Sequence, residues 1–372
     1  MSLGQRTTLK ATFTKCFGAL LVFFMFARNA VTASKLSGLG QEFLRGNLVA
    51  SRRGVKWNKS SPPFVYHPEY SCPWPSNHRF PMWKFKGLFE VLCKDHIIRE
   101  GEYFVPLDDP PHEWFTLVHD ERYYKGFLDN TLTNDEWRRI GFRPGPGLVR
   151  RTRLEVAGTL LTAQLALQHG LACNLAGGTH HAHKGYGSGY TILNDLAITA
   201  KVLQESNIGV EKVLIVDLDV HQGDGTASIF EGDPSVFTFS MHCENNFPLR
   251  KMRSDLDVGL PPGTDDQEYM RVLQSNLERV LDEFPADLVL YDAGIDPYEG
   301  DRLGLLNISE RGLYDRDSHT IRTCLGRGLP VACVIGGGYD DNAAALARRH
   351  SIVHRAAVRA WREMGVGKLV WQ

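Results

Sequence analysis

Downstream of residue 150 the chain alternates short apolar runs with longer segments of helical period. The runs "LACNLA" (171–176), "KVLIVDLDV" (212–220), "SVFTFSMH" (235–242), "ADLVLYDAG" (286–294) and "LPVACVIGGG" (329–338) are each the length of one buried strand and too short for a buried helix. Helices are predicted over 195–205, 266–284 and 309–326 between them. A further one is predicted over 151–170, where apolar residues recur at i, i+3 and i+4 and a glycine ends the pattern. Apolar strands alternating with helices predict an α/β fold: a single open parallel β-sheet domain with helices on both faces.

Sheets of that kind bind ligands beyond the carboxyl ends of their strands. The polar segments "THHAH", "DLDVHQGD", "HCENN", "AGID" and "GGGYD" all fall at or just after the ends of the apolar runs. Five polar clusters are therefore expected to converge on one rim.

Within "VDLDVHQGDG", Asp217, Asp219 and His221 alternate, so in an extended segment their side chains leave one face. Three ionisable groups on a buried strand are costly unless a cation or partners compensate them. Salt bridges to arginines on covering helices would serve; a metal site using Asp219 and His221 is the favoured reading. "DAGIDPYEGD" offers Asp292, Asp296, Glu299 and Asp301 for a third ligand, with Asp296 just past a glycine at a strand end. An Asp2His set with one open position suits catalytic Zn2+ and also accepts Fe2+ or Co2+.

The adjacent pair His180 and His181, set among glycines, then reads as the proton carriers beside that metal. Asp217 and Asp224 flank the ligand segment and are placed to orient the two imidazoles. His183 reads as an exposed bystander. "VIGGGYDD" lacks the Lys and Ser/Thr of a phosphate loop. Its glycines instead let backbone approach a pocket and project Tyr339, whose phenol can donate to a developing oxyanion.

Composition narrows the alternatives. A chain of 372 residues, 43% hydrophobic, can bury a large core. Its formal charge of −1 provides no global basic field, so direct nucleic-acid binding is not expected. The seven cysteines (Cys16, Cys72, Cys93, Cys173, Cys243, Cys324 and Cys333) are scattered singly and form neither a zinc ribbon nor a disulfide framework. No Asp or Glu precedes Glu42, whereas Arg6, Lys10, Lys15, Arg28 and Lys35 alternate with hydroxyl residues around "FGALLVFFMFA". This composition suits a transit peptide for a plastid or mitochondrion. A secretory signal is the alternative, and without a signal the cytoplasm or nucleus would be the address. The apolar stretch is short for a membrane span, so none is expected in the mature protein.

The set "GGTHHAHKGYGSGYTILND", "DLDVHQGDGT", "FTFSMH", "DAGIDPYEGDRLG" and "GGGYD", in this order, resembles the zinc-dependent histone deacetylase family and its arginase/deacetylase fold. The opening "YHPEY…HRFPMWKF" and "RLEVAGTLL" look closest to class IV and related bacterial and plant deacetylases. The resemblance covers about residues 62 to 366. It implies a leader and linker over 1–61, a catalytic domain over 62–366 and a tail over 367–372. It also implies Zn2+ on Asp219, His221 and Asp296, His181 as general base and acid, His180 assisting, and Tyr339 polarising the acyl carbonyl. Asp217 and Asp224 match the carboxylates that partner the histidines. A structural K+ is implied near Asp217, Asp219, His221 and Ser240. Gly189 and Tyr190 match one wall of the acyl-lysine channel and Phe247 the opposite wall. Leu303 stands where polyamine deacetylases carry an acidic gatekeeper, and Arg79 matches an arginine of the internal acetate-exit region. Asp129 and Asp135 are the only candidates for the acidic rim residue of class I enzymes.

The implied function is hydrolysis of N-ε-acetyl-lysine, or longer acyl-lysine, amides in proteins. A small-molecule acetylated-amine amidohydrolase shares every catalytic residue and is the main alternative. A ureohydrolase would need a second metal motif where Gln222 and Gly223 stand, and a non-catalytic scaffold would not need the full set of ligands, histidines and tyrosine.

Overall fold

The computed structural model describes residue 57, residues 59–99 and residues 101–368. The expected leader lies almost entirely outside the described residues. Within the segment expected as leader and linker, the Trp57 ring packs against Phe104, His169 and Trp361 and the Lys59 carbonyl accepts from Trp361 Nε1 at 2.9 Å. At the other end Val366 is buried within a 3-10 turn, Val366–Lys368.

Seven strands form one sheet: β1 (Phe64–Val65), β2 (Leu171–Asn174), β3 (Val213–Asp217), β4 (Val236–Cys243), β5 (Leu256–Leu260), β6 (Leu288–Asp292) and β7 (Val331–Val334). Their order is β1-β2-β7-β6-β3-β4-β5, and every pairing is parallel. The central strands are buried along their whole length, which is why they read as unbroken apolar runs. Strand β5 has alternating exposure at the sheet edge, and β1 is two residues long. Neither produces an apolar run.

The connecting helices are α1 (Lys84–Lys94), α2 (His112–Thr116), α3 (Glu121–Leu128), α4 (Asn134–Ile140), α5 (Leu148–His169), α6 (Asp195–Glu205), α7 (Asp224–Phe230), α8 (Asp266–Glu283), α9 (Glu310–Gly326) and α10 (Ala343–Glu363). The ends of α6, α8 and α9 follow their capping residues: Asn194, Asp265 and Ser309 each accept a backbone N–H of the first turn through their side chains. Helix α5 is buried around most of its circumference, packed against β2, β7 and α6. No helix of the described residues is long and apolar enough to cross a membrane.

Register carries the sheet into the site. Asp217, at the end of β3, is aligned with Asp292 on one side and Ser240 on the other. The loops after β2, β3, β6 and β7 therefore leave the sheet together.

Candidate active site

Asp219, His221 and Asp296 form one buried group whose ligand atoms lie within 4.8 Å of one another. His221 Nδ1 is 2.9 Å from Asp219 Oδ1 and 3.1 Å from Asp296 Oδ2. The loops are fixed by their own amides: Val220 N donates to Asp296 Oδ1 at 2.8 Å, and Gly337 N to Asp219 Oδ2 at 2.8 Å. Asp296 Oδ2 receives no well-directed hydrogen bond although it is buried. A methyl on Gly337 would sit 2.2 Å from that oxygen, and one on Gly294 would sit 2.3 Å from Asp219 Oδ2. Two carboxylates and an imidazole, closely enclosed and with an orphaned acceptor, fit a divalent cation. Of the other carboxylates considered as third ligand, Asp301 is committed to the amides of Leu303, Gly304 and Tyr339. Asp292 belongs instead to a group with His180 and Asp217.

The two adjacent histidines each have a carboxylate of their own. His180 Nδ1 is 2.7 Å from Asp217 Oδ2, and His181 Nδ1 is 2.6 Å from Asp224 Oδ1. Their surroundings drive them apart. Burial opposes charge on His180, but Asp217, Asp219 and Asp292 outweigh it and raise the pKa well above the ordinary value. Burial, helped by the charge of His180, pushes His181 down to about 4 against the pull of Asp224. The surrounding carboxylates thus favour a proton on His180, whereas burial favours the neutral form of His181.

The loop carrying the pair is held from behind by Asp195, whose carboxylate accepts from Gly178 N, Thr179 N and Thr179 Oγ1. Gly178 has a φ of +85°, and a methyl there would strike Gly336 Cα at 2.5 Å. Only glycine permits this crossing of the β2 and β7 loops.

His183 is not exposed, contrary to the sequence reading. It is 5% exposed, Nε2 lies 3.1 Å from Asp224 Oδ2, and its ring stacks on Tyr186 at 4.4 Å. The sequence provides no sign of this, because Asp224 comes from a segment forty residues away.

Tyr339 is buried with its ring 6.3 Å from His221 and 6.1 Å from Tyr190. Burial, together with the charges of Asp296 and Asp219, holds its phenol well above the ordinary range, so it is a donor. Its amide is held by Asp301 Oδ2 at 2.6 Å. A channel of about 310 Å³ descends to these groups, lined among others by His181, Gly189, Tyr190, Phe247, Leu303 and Tyr339. The Phe247 ring stands perpendicular to His181 at 4.8 Å, and a methyl on Gly189 would strike His181 Cδ2 at 2.5 Å. Tyr190 takes a left-handed φ of 65°, an expensive conformation for a bulky residue. Its amide bonds the Ile140 carbonyl at 2.7 Å, and its ring packs among His78, Phe80 and Phe142.

Arg79 is not in the interior. It is exposed and lines a cavity at the mouth with Arg302, Leu303 and Tyr339. A small cavity of about 30 Å³ that includes the site residues is bordered also by Lys84, Arg151 and Glu155. Arg151 donates to Glu155 at 2.6 Å, and Lys84 Nζ to the Gly336 carbonyl at 2.8 Å. These cations escaped the sequence reading because they sit in helical segments where basic residues usually face solvent. Ser240 lies beside Asp217 in register, with its hydroxyl 2.9 Å from His242 Nδ1.

Arg316 and Asp317 on α9 were also missed. Both are fully buried. Arg316 Nη1 donates to the Leu218 carbonyl at 3.1 Å and the Gly294 carbonyl at 2.6 Å, binding the loops that carry Asp219 and Asp296 to each other.

Comparisons with known proteins follow the same lines. The family model of the histone deacetylase domain matches residues 78–354. An uncharacterized protein of Picosynechococcus sp. is 55% identical over 79% of this chain and 98% of its own length. Histone deacetylase 2 of Arabidopsis thaliana is 30% identical, covering 72% and 71% of the two chains. The acetoin utilization protein AcuC of Staphylococcus aureus is 28% identical, covering 76% and 75%.

Proposed function

The chain belongs to the histone deacetylase family, and from that premise we propose that it hydrolyses N-ε-acyl-lysine amides in proteins, using Zn2+ held by Asp219, His221 and Asp296. Family membership carries deacetylase-type hydrolysis of acetylated substrates; the protein substrate, the metal and the residue roles are our reading. The observation that supports it most is His181, held by Asp224 beside an Asp2His donor set at the base of a narrow channel.

When bound, Zn2+ supplies Lewis-acid polarisation of the acyl carbonyl and acidification of water. His181 Nε2 accepts the proton of the water whose oxygen attacks the carbonyl carbon, and Asp224 stabilises the imidazolium that results. Tyr339 donates to the oxygen on which charge develops. Cationic His180, fixed by Asp217, adds positive charge beside it. The C–N bond then breaks as His181 returns its proton to the lysine nitrogen, leaving amine and carboxylate. Fe2+ and Co2+ suit the same donors. A structural K+ near Asp217, Asp219, His221 and Ser240, kinship with class IV enzymes, and an organellar address set by residues 1–61 complete the proposal. Fusion of residues 1–61 to a fluorescent protein tests the address: a diffuse signal would remove it.

Turnover of acetyl-lysine peptides compared with free acetylated amines tests the substrate class. Higher kcat/KM on peptides is expected; higher kcat/KM on free amines would make the protein a small-molecule amidohydrolase.

A further inference from the structure

The mouth of the channel is ringed by arginines from separate segments. Arg139, in the last turn of α4, lines the channel, and its guanidinium lies 4.6 Å from the centre of the Tyr186 ring. Arg250 is exposed, three residues after Phe247, which lines the channel. Arg79 and Arg302 line the adjoining cavity with Leu303 and Tyr339.

Elsewhere on the surface arginines commonly sit against carboxylates, as Arg271 does on Glu268, Arg311 on Asp315 and Arg327 on Asp282. At the mouth only Arg302 does so, with Asp341. Arg79, Arg139 and Arg250 form no ion pair among the described residues. Several carboxylates on the same segments are engaged: Asp135 with Arg138, Glu136 with Arg122, and Asp301 with three backbone amides. With a formal charge of −1 on the whole chain, this is a local excess and not a share of an overall basic character.

An acyl-lysine reaching down the channel holds its own backbone, and the residues on either side of it, at this rim. Guanidinium groups pair carboxylates in two-pronged fashion. Exposed charges act over roughly 8 Å at physiological salt, so flanking side chains fall within range. Resting on the deacylase reading above, we propose that the rim selects acyl-lysines flanked by acidic residues and rejects polybasic segments. Arg139 and Arg250 are the main determinants.

The test uses metal-loaded full-length protein and three acetyl-lysine peptides of equal length, flanked by Asp/Glu, by Ser/Ala or by Lys/Arg. The acidic peptide is expected to exceed the basic one in kcat/KM by about tenfold at low salt, mostly through KM, with the gap closing as salt rises. The double variant Arg139→Glu/Arg250→Glu, checked for native circular dichroism, is expected to reverse the order, whereas Arg271→Glu keeps it. Equal rates on all three peptides, or an order unaffected by the double variant, would overturn the rim assignment and leave the deacylase reading standing. Failure to hydrolyse any of the three would overturn the deacylase reading itself, and the rim with it.

Discussion

His183 Nε2 lies 3.1 Å from Oδ2 of Asp224, while the other oxygen of that carboxylate holds His181 at 2.6 Å. One buried aspartate thus serves two imidazoles, and His183 fixes the orientation in which it meets His181. Replacing His183 by Leu keeps bulk but frees half of the carboxylate. Loss of such a supporting partner costs about 10–100-fold in activity. The expected outcome is a fall of that size in kcat with KM little changed; unaltered kcat would make His183 a packing residue only.

Arg316 binds two loops and neutralises Asp317, all without solvent. Arg316→Met leaves Asp317 as an uncompensated buried charge, a change that costs about 3–5 kcal/mol. Urea unfolding checks this, and a midpoint equal to wild type would contradict it.

Gly337 has no room for a side chain, with a methyl 2.2 Å from Asp296 Oδ2 and 2.7 Å from Asp219 Oδ2. Gly337→Ala is expected to lower affinity for Zn2+ by about 10–100-fold while circular dichroism stays native. Titration calorimetry with the metal alone reads the effect.

Acid should destabilise the fold early. Burial lowers His119 and His354 from 6.5 to about 4. His119 donates from Nδ1 to the His183 carbonyl and accepts the Asn194 amide at Nε2, a pattern only the neutral ring can make. Both histidines take up protons more readily when unfolded, so their stabilisation is present above pH 6.5 and is lost as pH falls toward 4. Each is expected to lose about 2 kcal/mol by pH 5. Urea midpoints at pH 7.5, 6 and 5 should fall in that order, and a flat series would contradict the assignment.

What the chain reveals before folding follows from how its residues are buried. Strands β2, β3, β4, β6 and β7 are covered on both faces, so each reads as an apolar run, and their carboxyl ends locate the rim. Edge strand β5, with alternating exposure, lacks that signature, and so does two-residue β1. Helix α10 turns Arg349, His350 and His354 inward among its apolar residues, which breaks the pattern a buried helix should have. Local spacing was enough to propose Asp219 and His221 together. It could not reveal that His183 turns toward Asp224, that Arg79 stays at the surface, or that Lys84, Arg151 and Arg316 are interior, because each depends on contacts between distant segments.

The most direct measurement is hydrolysis of an acetyl-lysine peptide by metal-stripped protein, by the same protein given one equivalent of Zn2+, and by its Tyr339→Phe variant. Activity is expected only with metal, and Tyr339→Phe should lower kcat by about 10²–10³-fold while metal still binds. Hydrolysis that survives both removal of the metal and loss of the phenol would contradict the assignment.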